Sequence, residues 1–210
     1  MGTKVPKLSR SVIARAAIAL NDAEGLEAAS MRKLATSMNV DPMAIYHYLP
    51  SRSALLDEAA QTVLLEIDVP APSLGWRDRL RALCRNYRGL AYTHPGVFRV
   101  ICMNRRWGVG DYRIYEAFLD ALAAAGMVDR QVVSATSAFL GYAAGYALDE
   151  LNGTLGPLDE RDRSDMQELD PSVYPTIHRF IGTIENVDPH TDFEFGLDLM
   201  LAGLGGMTPK

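Results

Sequence analysis

The chain has 210 residues, of which 48% are hydrophobic and 22% charged, and its formal net charge is −5. This composition is typical of a globular protein, and the length allows one or two small domains with a buried core. The two cysteines, Cys84 and Cys102, are too few for a disulfide scaffold and lack the spacing of zinc ligands. The N-terminal segment has no apolar signal-peptide core, so we expect a cytoplasmic protein. We also expect no bound metal or cofactor.

The charge is unevenly distributed along the sequence. Residues 1–56 contain 7 lysines and arginines and 4 acidic residues, a net charge of +3, whereas residues 57–210 contain 14 and 22, a net charge of −8. A weakly basic N-terminal part on an acidic remainder favours a local contact with a polyanion over a contact along the whole surface.

Apolar residues recur with the period of an α-helix, and no alternating strand pattern of useful length is present, so we predict an all-α fold. Four helices are predicted in the N-terminal part, each beginning after a residue that caps helix N-termini: Ser9, Ser30, Asp41 and Ser51. Asn39 follows the second helix, where many helices end in a left-handed residue, a conformation that Asn tolerates better than most. The fourth helix is predicted to run towards residue 67.

The segment 69–75 contains Pro and Gly, no charge and no periodicity, and it is predicted to separate two domains, residues 1–67 and 68–210. Six further helices are predicted at 76–93, 95–103, 111–125, 129–151, 171–186 and 191–204. The polar and acidic segment 152–170 is predicted to be a loop.

The uncharged segment 131–148 includes the spacing Gly141-x-x-x-Gly145, which occurs in packed transmembrane helices. Its serine, threonine, glutamine and tyrosine side chains dilute the apolar character, however, and no cationic flank accompanies it. A helix with no polar face is also typical of the central helix of a bundle, covered on all sides, and we favour that interpretation.

The second and third predicted helices are short and are joined by a tight turn at residues 39–40. This arrangement is typical of a helix-turn-helix unit, whose second helix enters the major groove of DNA. The unit is predicted to be held together by Leu34, Ala35, Val40 and Ile45. The side chains that remain on the third helix point outward: Pro42, Met43, Ala44, Tyr46 and His47. Exposed Met, Tyr and His side chains on a short helix are poor choices for solubility, so they favour a functional role for this surface.

Two runs of residues carry a resemblance to a known family. Residues 30–35 read Ser-Met-Arg-Lys-Leu-Ala, and residues 40–56 read Val-Asp-Pro-Met-Ala-Ile-Tyr-His-Tyr-Leu-Pro-Ser-Arg-Ser-Ala-Leu-Leu. With their surroundings, residues 9–67, they resemble the N-terminal domain of the tetracycline-repressor (TetR) family of bacterial transcription regulators. Ile45 and Arg52 stand where that family usually has Leu and Lys. Residues 193–204 resemble the last helix of the tetracycline-repressor-type C-terminal domain.

The resemblance implies DNA contacts from eight residues. Three of them lie near helix starts and are expected to bind phosphates: Ser30, Arg32 and Arg52. The other five are expected to contact base edges or the DNA backbone: Pro42, Met43, Ala44, Tyr46 and His47. A flexible arm with Lys4, Lys7 and Arg10 is expected to add salt-dependent affinity. Packing of Met43 on a second protomer, and Lys33 as a merely solvated charge, are alternatives.

The family also implies a homodimer, because one helix-turn-helix unit reads few base pairs and two copies reach both half-sites of a palindromic operator. In this family the eighth and last helices of two protomers form a four-helix bundle, and these correspond to 129–151 and 191–204. The residues expected at the seam are small or apolar: Val133, Leu140, Ala143, Ala147, Phe195, Gly196, Leu199, Leu201 and Gly203. The alternative is that they build only the core of one chain.

Aromatic residues cluster in the middle helices and, with a few polar neighbours, fit the wall of an apolar cavity for a small-molecule effector. The residues expected in this wall are His94, Phe98, Met103, Trp107, Tyr115, Phe118, Phe139 and Tyr142. Aromatic side chains at helical spacing are also common in cores, so packing is the alternative role for each of them.

These features predict a ligand-responsive DNA-binding transcriptional regulator, a repressor that a small molecule releases from its operator. The alternatives are a transcriptional activator and a DNA-binding protein that responds to no ligand. An enzyme is not expected, because the four histidines lack the HExxH spacing and the sequence contains no GxSxG motif or phosphate-binding loop.

Overall fold

The computed structural model describes residues 8–25, 30–103 and 105–206, and within these ranges all regular secondary structure is helical. The helices are α1 (Arg10–Glu24), α2 (Met31–Met38), α3 (Pro42–Tyr48), α4 (Arg52–Leu65), α5 (Trp76–Thr93), α6 (Pro95–Ile101), α7 (Val109–Ala123), α8 (Asp129–Leu151), α9 (Glu160–Gln167), α10 (Pro175–Ile184) and α11 (Pro189–Gly205). The predicted all-α fold is confirmed.

The first four helices begin where the capping residues predict. The side-chain oxygens of Ser9, Ser30, Asp41 and Ser51 accept hydrogen bonds from backbone N–H groups of the following turns, at 3.3, 3.2, 2.7 and 3.1 Å. Asn39 has φ 53° and ψ 47°, the left-handed conformation, and it ends α2. Local sequence therefore fixes the length of α2 and the turn into α3.

Helices α1 to α4 share an apolar core. Ile13 of α1, Leu34 of α2, Ile45 of α3 and Leu55 of α4 are all 0% exposed and pack in one cluster. Because removal of such side chains from water is the main favourable contribution to folding, this core fixes α2 and α3 against α1 and α4.

Helix α4 also packs against α6 and α7, and α5 packs against the same two helices. Residues up to Ala144 form one compact unit, and residues from Gly145 onward form a second. The domain boundary expected between residues 67 and 68 stays a prediction.

Within the second unit, the end of α8 packs on the start of α11. The Tyr146 hydroxyl donates a hydrogen bond to the Pro189 carbonyl at 2.9 Å, and the rings of Tyr146 and Phe193 meet edge-on with centroids 5.2 Å apart. Phe193, Leu197 and Leu201 are buried along one face of α11. These three residues are four positions apart, and that spacing gives α11 one inward face.

Other faces of α8 and α11 are exposed. Val133 of α8 is 50% exposed, and Phe195 and Leu199 of α11 are 62% and 59% exposed. A Cβ atom added at Gly141 or Gly203 would meet no other atom within 4 Å. Within one protomer, therefore, packing does not demand glycine at these two positions.

Three residues expected at the seam between protomers are instead buried within their own chain. Ala143 and Ala147 are 0% exposed and Leu201 is 3% exposed. A side chain without accessible surface has no area left to bury against a partner, so these three residues belong to the core of one chain. For them, the alternative stated from the sequence is the correct one.

The prediction of a loop over residues 152–170 is wrong in part, because α9 lies inside it. Asp159 caps α9 by accepting a hydrogen bond from the Asp162 N–H at 2.7 Å, and no residue of α9 is buried. A helix without a buried face has no apolar period, which explains why periodicity does not reveal it. Helix α10 begins later than predicted, since Asp170 accepts two hydrogen bonds from Ser172 in a turn that precedes it.

Helix α8 contains the uncharged segment that prompted the comparison with transmembrane helices. Phe139 and Thr136 are buried on it, and the Thr136 hydroxyl donates to the Val132 carbonyl at 2.9 Å. Among the described residues, no helix combines the length and the apolar character needed to cross a membrane.

Candidate nucleic-acid interface and ligand cavity

Helices α2 and α3 form a helix-turn-helix unit whose inner side is closed by apolar contacts. Leu34 and Ile45 are 0% exposed, and Ala35 is 1% exposed. Val40, in the turn, packs half-buried against the same cluster. The residues predicted to hold the unit together thus occupy its interior.

The outer side of α3 presents the side chains predicted there. Met43 is 71% exposed and Tyr46 is 40% exposed. His47 is also exposed, and Pro42 and Ala44 are half-buried. Large side chains with apolar surface on a seven-residue helix favour a binding surface, because water is a poor environment for them.

Polar residues at helix starts flank this surface. Ser30, Arg32 and Arg52 are exposed at the first turns of α2 and α4. The partial positive charge of a helix N-terminus and the two guanidinium groups suit phosphate groups. None of the eight residues expected to contact DNA is buried, and all lie on α2, α3 or the start of α4.

Two basic residues near this surface are held by ion pairs. Arg10, in the first turn of α1, donates to Glu58 of α4 from Nε and a terminal nitrogen, at 3.0 and 2.8 Å. Its assignment to a flexible arm is therefore wrong. Lys33 forms an ion pair with Glu24. The other two residues of the expected arm, Lys4 and Lys7, lie outside the described residues.

A partly open cavity of about 250 Å³ lies among helices α4 to α8. Its wall residues are Leu64, Tyr87, Ile101, Trp107, Asp111, Ile114, Tyr115, Leu140, Gly141 and Ala144. A concave, mostly apolar and aromatic wall with few polar groups is typical of a small-molecule site.

Two of the eight residues predicted for the cavity lie in this wall. Trp107 and Tyr115 meet edge-on, with ring centroids 5.4 Å apart. Phe98, Phe118 and Phe139 are at most 1% exposed. These three phenylalanines fill the core, so packing, the alternative stated from the sequence, accounts for them.

The remaining predicted cavity residues, His94, Met103 and Tyr142, lie outside this wall. The His94 ring pairs through Nδ1 with Asp22 of α1 at 2.7 Å and through Nε2 with Glu66 at 3.2 Å. It thereby joins the C-terminal ends of α1 and α4 to the start of α6. Met103 is 58% exposed after α6, and Tyr142 is half-buried on α8.

Several wall residues were not predicted, among them Leu64, Asp111 and Gly141. For Asp111 the sequence does contain a signal, because it precedes Tyr115 by four residues and side chains at that spacing share one face of a helix. Leu64 gives no such signal, since its place in the wall depends on how α4 packs against α7.

Asp111 is the acceptor at the centre of a buried hydrogen-bond network. Arg105 donates to its two carboxylate oxygens at 2.6 and 3.0 Å, and these side chains are 6% and 12% exposed. Gln61 of α4 donates from Nε2 at 2.6 Å, and the Gly108 N–H donates at 2.9 Å. Burial acts to raise the pKa of the Asp111 carboxyl, but hydrogen bonds from Arg105, Gln61 and Gly108 outweigh it and lower that pKa.

The start of α7 approaches α4 very closely. The Gly110 N–H donates to Gln61 Oε1 at 2.8 Å. A Cβ atom at Gly108 would lie 2.6 Å from Gln61 Cδ, and one at Gly110 would lie 2.7 Å from Leu64 Cβ. The Gln61 amide can shift away from position 108, but Leu64 Cβ is fixed to the backbone, so glycine at position 110 lets the start of α7 touch α4 directly.

Burial also affects two groups beside this network. It is the main cause of the raised pKa of the Tyr87 hydroxyl, and Cys102 contributes in the same direction. It raises the pKa of the Cys102 thiol to about 11, against an opposing effect of Arg105. Both groups are therefore protonated near neutral pH, and the Cys102 thiol is a poor nucleophile.

Helices α1 to α4 form a head that exposes the recognition helix α3, and the helices that follow line a cavity. This combination defines a helix-turn-helix transcription regulator. Residues 13–59 match the bacterial regulatory proteins of the tetR family, and residues 69–208 match the tetracyclin repressor-like C-terminal domain. The chain belongs to the tetR family, whose members are transcriptional regulators.

Individual relatives agree with this assignment. The chain is 32% identical over 148 residues to the HTH-type transcriptional repressor DrrR1 of Streptomyces coeruleorubidus, which covers 70% of this chain and 55% of that protein. It is 27% identical over 201 residues to the tetracycline repressor protein class A of Escherichia coli, which covers 94% and 91%. The chain thus spans about half the length of the first relative and most of the second.

A solved structure of the same family has a similar fold. The Streptomyces coelicolor TetR family protein ActR, in its crystal structure in complex with actinorhodin, matches with a TM-score of 0.86 and 27% sequence identity. The match covers 97% of this chain and 100% of that chain.

Proposed function

We propose that the chain is a homodimeric repressor that binds a palindromic operator in the cytoplasm and is released from it by a small molecule. One observation carries the proposal: Gln61, on the helix that follows the helix-turn-helix unit, bonds at 2.6 Å to Asp111 of the cavity wall. A ligand that moves this wall therefore acts directly on a helix of the head.

The head would place α3 in the major groove of the operator. Five side chains of α3 would contact base edges or backbone: Pro42, Met43, Ala44, Tyr46 and His47. The carbon atoms of Met43 and Ala44 suit thymine methyl groups. The other three proposed contacts, from Ser30, Arg32 and Arg52, would bind phosphates and fix the register of the head on the duplex.

A second copy of the chain would cover the exposed apolar side chains of α8 and α11. Val133, Phe195 and Leu199 would lose their contact with water, which favours association. Gly203 leaves room for the two chains to approach. Dimerisation would carry the two heads to half-sites about one helical turn apart.

Two relatives support the ligand response. The tetracycline repressors bear the name of a small molecule, and ActR has been crystallised in complex with actinorhodin and with (S)-DNPA. In this chain we place the ligand in the 250 Å³ cavity. Its binding would shift the population towards a dimer whose heads are wrongly spaced for adjacent major grooves. The shift is limited by the preference of the ligand for that state.

A fluorescence-anisotropy titration tests the DNA-binding part of this proposal. Labelled duplexes covering the DNA that flanks the gene are titrated with the full-length protein at two salt concentrations, with and without competitor DNA. We expect one duplex to bind tightly, to resist competitor and to weaken steeply as salt rises, because phosphate contacts release counterions. Equal, weak binding to every duplex would contradict a specific operator.

The same assay separates the proposal from its alternatives. A repressor of this kind should leave the operator when a ligand of the cavity is added. A complex that persists while calorimetry shows the cavity to be saturated would favour a DNA-binding protein without ligand response. An increase in transcription from the operator promoter on addition of the protein would favour an activator.

A further inference from the structure

The shape and size of the cavity restrict its ligand. Tyr87, Trp107 and Tyr115 contribute aromatic rings to the wall, and the last two stand edge-on to each other. Flat aromatic molecules pack well against such rings, in offset or edge-on arrangements. A cavity of about 150 Å³ holds one benzene ring, so a cavity of about 250 Å³ has room for two fused rings.

The charges around the cavity restrict its ligand further. Among the wall residues of the described chain, Asp111 alone is charged. Its carboxylate already accepts four hydrogen bonds, two of them from Arg105. A cationic ligand would have to compete with that guanidinium, and an anionic ligand would meet a carboxylate and no cation in the wall. An uncharged ligand avoids both costs.

The Tyr87 hydroxyl is a polar group of the wall that can serve a ligand. The Tyr87 side chain lies in the wall and packs edge-on against Phe98, with ring centroids 5.6 Å apart. Because this hydroxyl stays protonated near neutral pH, it can donate a hydrogen bond as well as accept one. A buried hydroxyl gains most from a ligand that carries a hydroxyl or carbonyl group.

We infer that the cavity binds an uncharged, flat aromatic molecule of about two fused rings, whose hydroxyl or carbonyl group bonds to Tyr87. This inference names the ligand class of the cavity in the proposed function. It rests on that function only for the role of the ligand in releasing the operator. It makes Tyr87 the residue that distinguishes a polar aromatic ligand from a plain hydrocarbon.

Three probes of matched shape test the inference by calorimetry on the full-length protein. The probes are 2-naphthol, naphthalene and 2-naphthoate, which are an uncharged alcohol, a hydrocarbon and an anion. We expect 2-naphthol to bind most tightly, naphthalene about fivefold to tenfold more weakly for want of one hydrogen bond, and 2-naphthoate most weakly. Tighter binding of 2-naphthoate than of 2-naphthol, or no binding of 2-naphthol, would overturn the inference.

Variants of two residues make the test specific. Tyr87→Phe should weaken 2-naphthol about fivefold to tenfold and leave naphthalene unchanged, because only the hydroxyl is lost. Trp107→Ala should weaken both probes, whereas Trp76→Ala, at the start of α5 and outside the wall, should weaken neither. Unchanged 2-naphthol binding in Tyr87→Phe would show that the hydroxyl takes no part in recognition and would overturn the inference.

Operator release is measured separately so that the two proposals can fail separately. If 2-naphthol binds as expected but the operator complex persists, the ligand class stands and the proposed ligand response falls. If another molecule releases the operator while 2-naphthol neither binds nor competes with it, the ligand class falls and the proposed function stands.

Discussion

Asp111 accepts hydrogen bonds from three directions, and each ties the cavity wall to a different part of the chain. Arg105 lies in the segment before α7, Gly108 at the cap of α7 and Gln61 on α4. A buried carboxylate is costly unless such donors surround it. The lowered pKa of Asp111 is the electrostatic consequence, and it makes the stability of the fold depend on pH.

Asp111→Asn should destabilise the protein near neutral pH by about 3 kcal/mol, because it leaves the Arg105 guanidinium buried without its counter-ion. A carboxyl whose pKa is lower in the folded state stabilises the fold above its unfolded pKa of 3.8 and loses that contribution as the pH falls through the folded value. The difference between variant and wild type should therefore shrink in acid. Urea denaturation followed by circular dichroism at several pH values measures it.

Asp165→Asn serves as the control for this experiment. Asp165 is 70% exposed and lies 3.9 Å from Arg161 in a surface ion pair, so its substitution should change stability by less than about 0.5 kcal/mol. A difference between Asp111→Asn and wild type that is the same at every pH would contradict the assignment of the pH dependence to Asp111.

Tyr46→Ala and Arg52→Ala should each weaken operator binding about tenfold while leaving the dimer intact, since each removes a proposed DNA contact worth about 1–2 kcal/mol. Arg52→Ala should also reduce the salt dependence, as expected for a lost phosphate contact. Arg161→Ala removes the same charge from α9 and should have no effect. Anisotropy titrations and gel filtration provide the two readouts, and unchanged affinity in both variants would contradict the proposed contacts.

At the scale of helices, the close contact between α4 and α7 bears on the proposed function. Gly108 and Gly110 permit the approach, and Gln61 uses both ends of its amide there. The Arg113 guanidinium adds a hydrogen bond from α7 to the Ile67 carbonyl at 2.8 Å, just beyond the end of α4. A displacement of α7 therefore reaches α4 through short, direct contacts.

Gly110→Ala should destabilise the protein by about 1–3 kcal/mol, because its Cβ would lie 2.7 Å from Leu64 Cβ and 3.1 Å from the Gln61 carbonyl oxygen. Gly89→Ala is the matched control: it also lies within a helix, its Cβ would meet nothing within 4 Å, and it should stabilise by about 0.5–1 kcal/mol. Urea denaturation gives both values. Equal behaviour of the two variants would show that α7 can retreat from α4 without cost.

The helices themselves were largely predictable from the sequence, for local reasons. Ser30, Asn39 and Asp41 fix the ends of α2 and the start of α3 through caps and a left-handed residue that need no tertiary contact. Helix α9 was missed because it buries nothing and so shows no apolar period. Sequence patterns reveal a helix when its end signals or its buried face are encoded nearby.

The cavity was predictable only in part, because its wall is assembled from five helices and the segment between α6 and α7. The sequence predicted a cluster of aromatic residues in the middle helices, and two of them, Trp107 and Tyr115, line the cavity wall. Phe98 and Phe118 have the same residue type and similar spacing, yet they are completely buried in the core. The packing angles between the helices decide which face of each helix lines the cavity, and a local sequence pattern does not determine these angles.

For the whole molecule, Leu199→Asp should convert the proposed dimer into monomers and thereby abolish tight operator binding. Leu199 is 59% exposed in the protomer, so a charge there costs the single chain little but would be buried without a partner in the dimer. Leu74→Asp, at a 47% exposed leucine between α4 and α5, should leave the dimer intact. Analytical ultracentrifugation would show a stable Leu199→Asp dimer if the face is wrongly chosen.

The partly open cavity lined by Leu64 also has a consequence for the lifetime of the protein in the cell. Wall atoms around a gap lack packing partners, so a molecule that fills it and binds only the folded chain raises the free energy of unfolding. Proteases degrade the unfolded form, and its population falls as that free energy rises. A ligand-bound regulator would then be degraded more slowly than an empty one. Its concentration in the cell would therefore stay raised after exposure to the ligand.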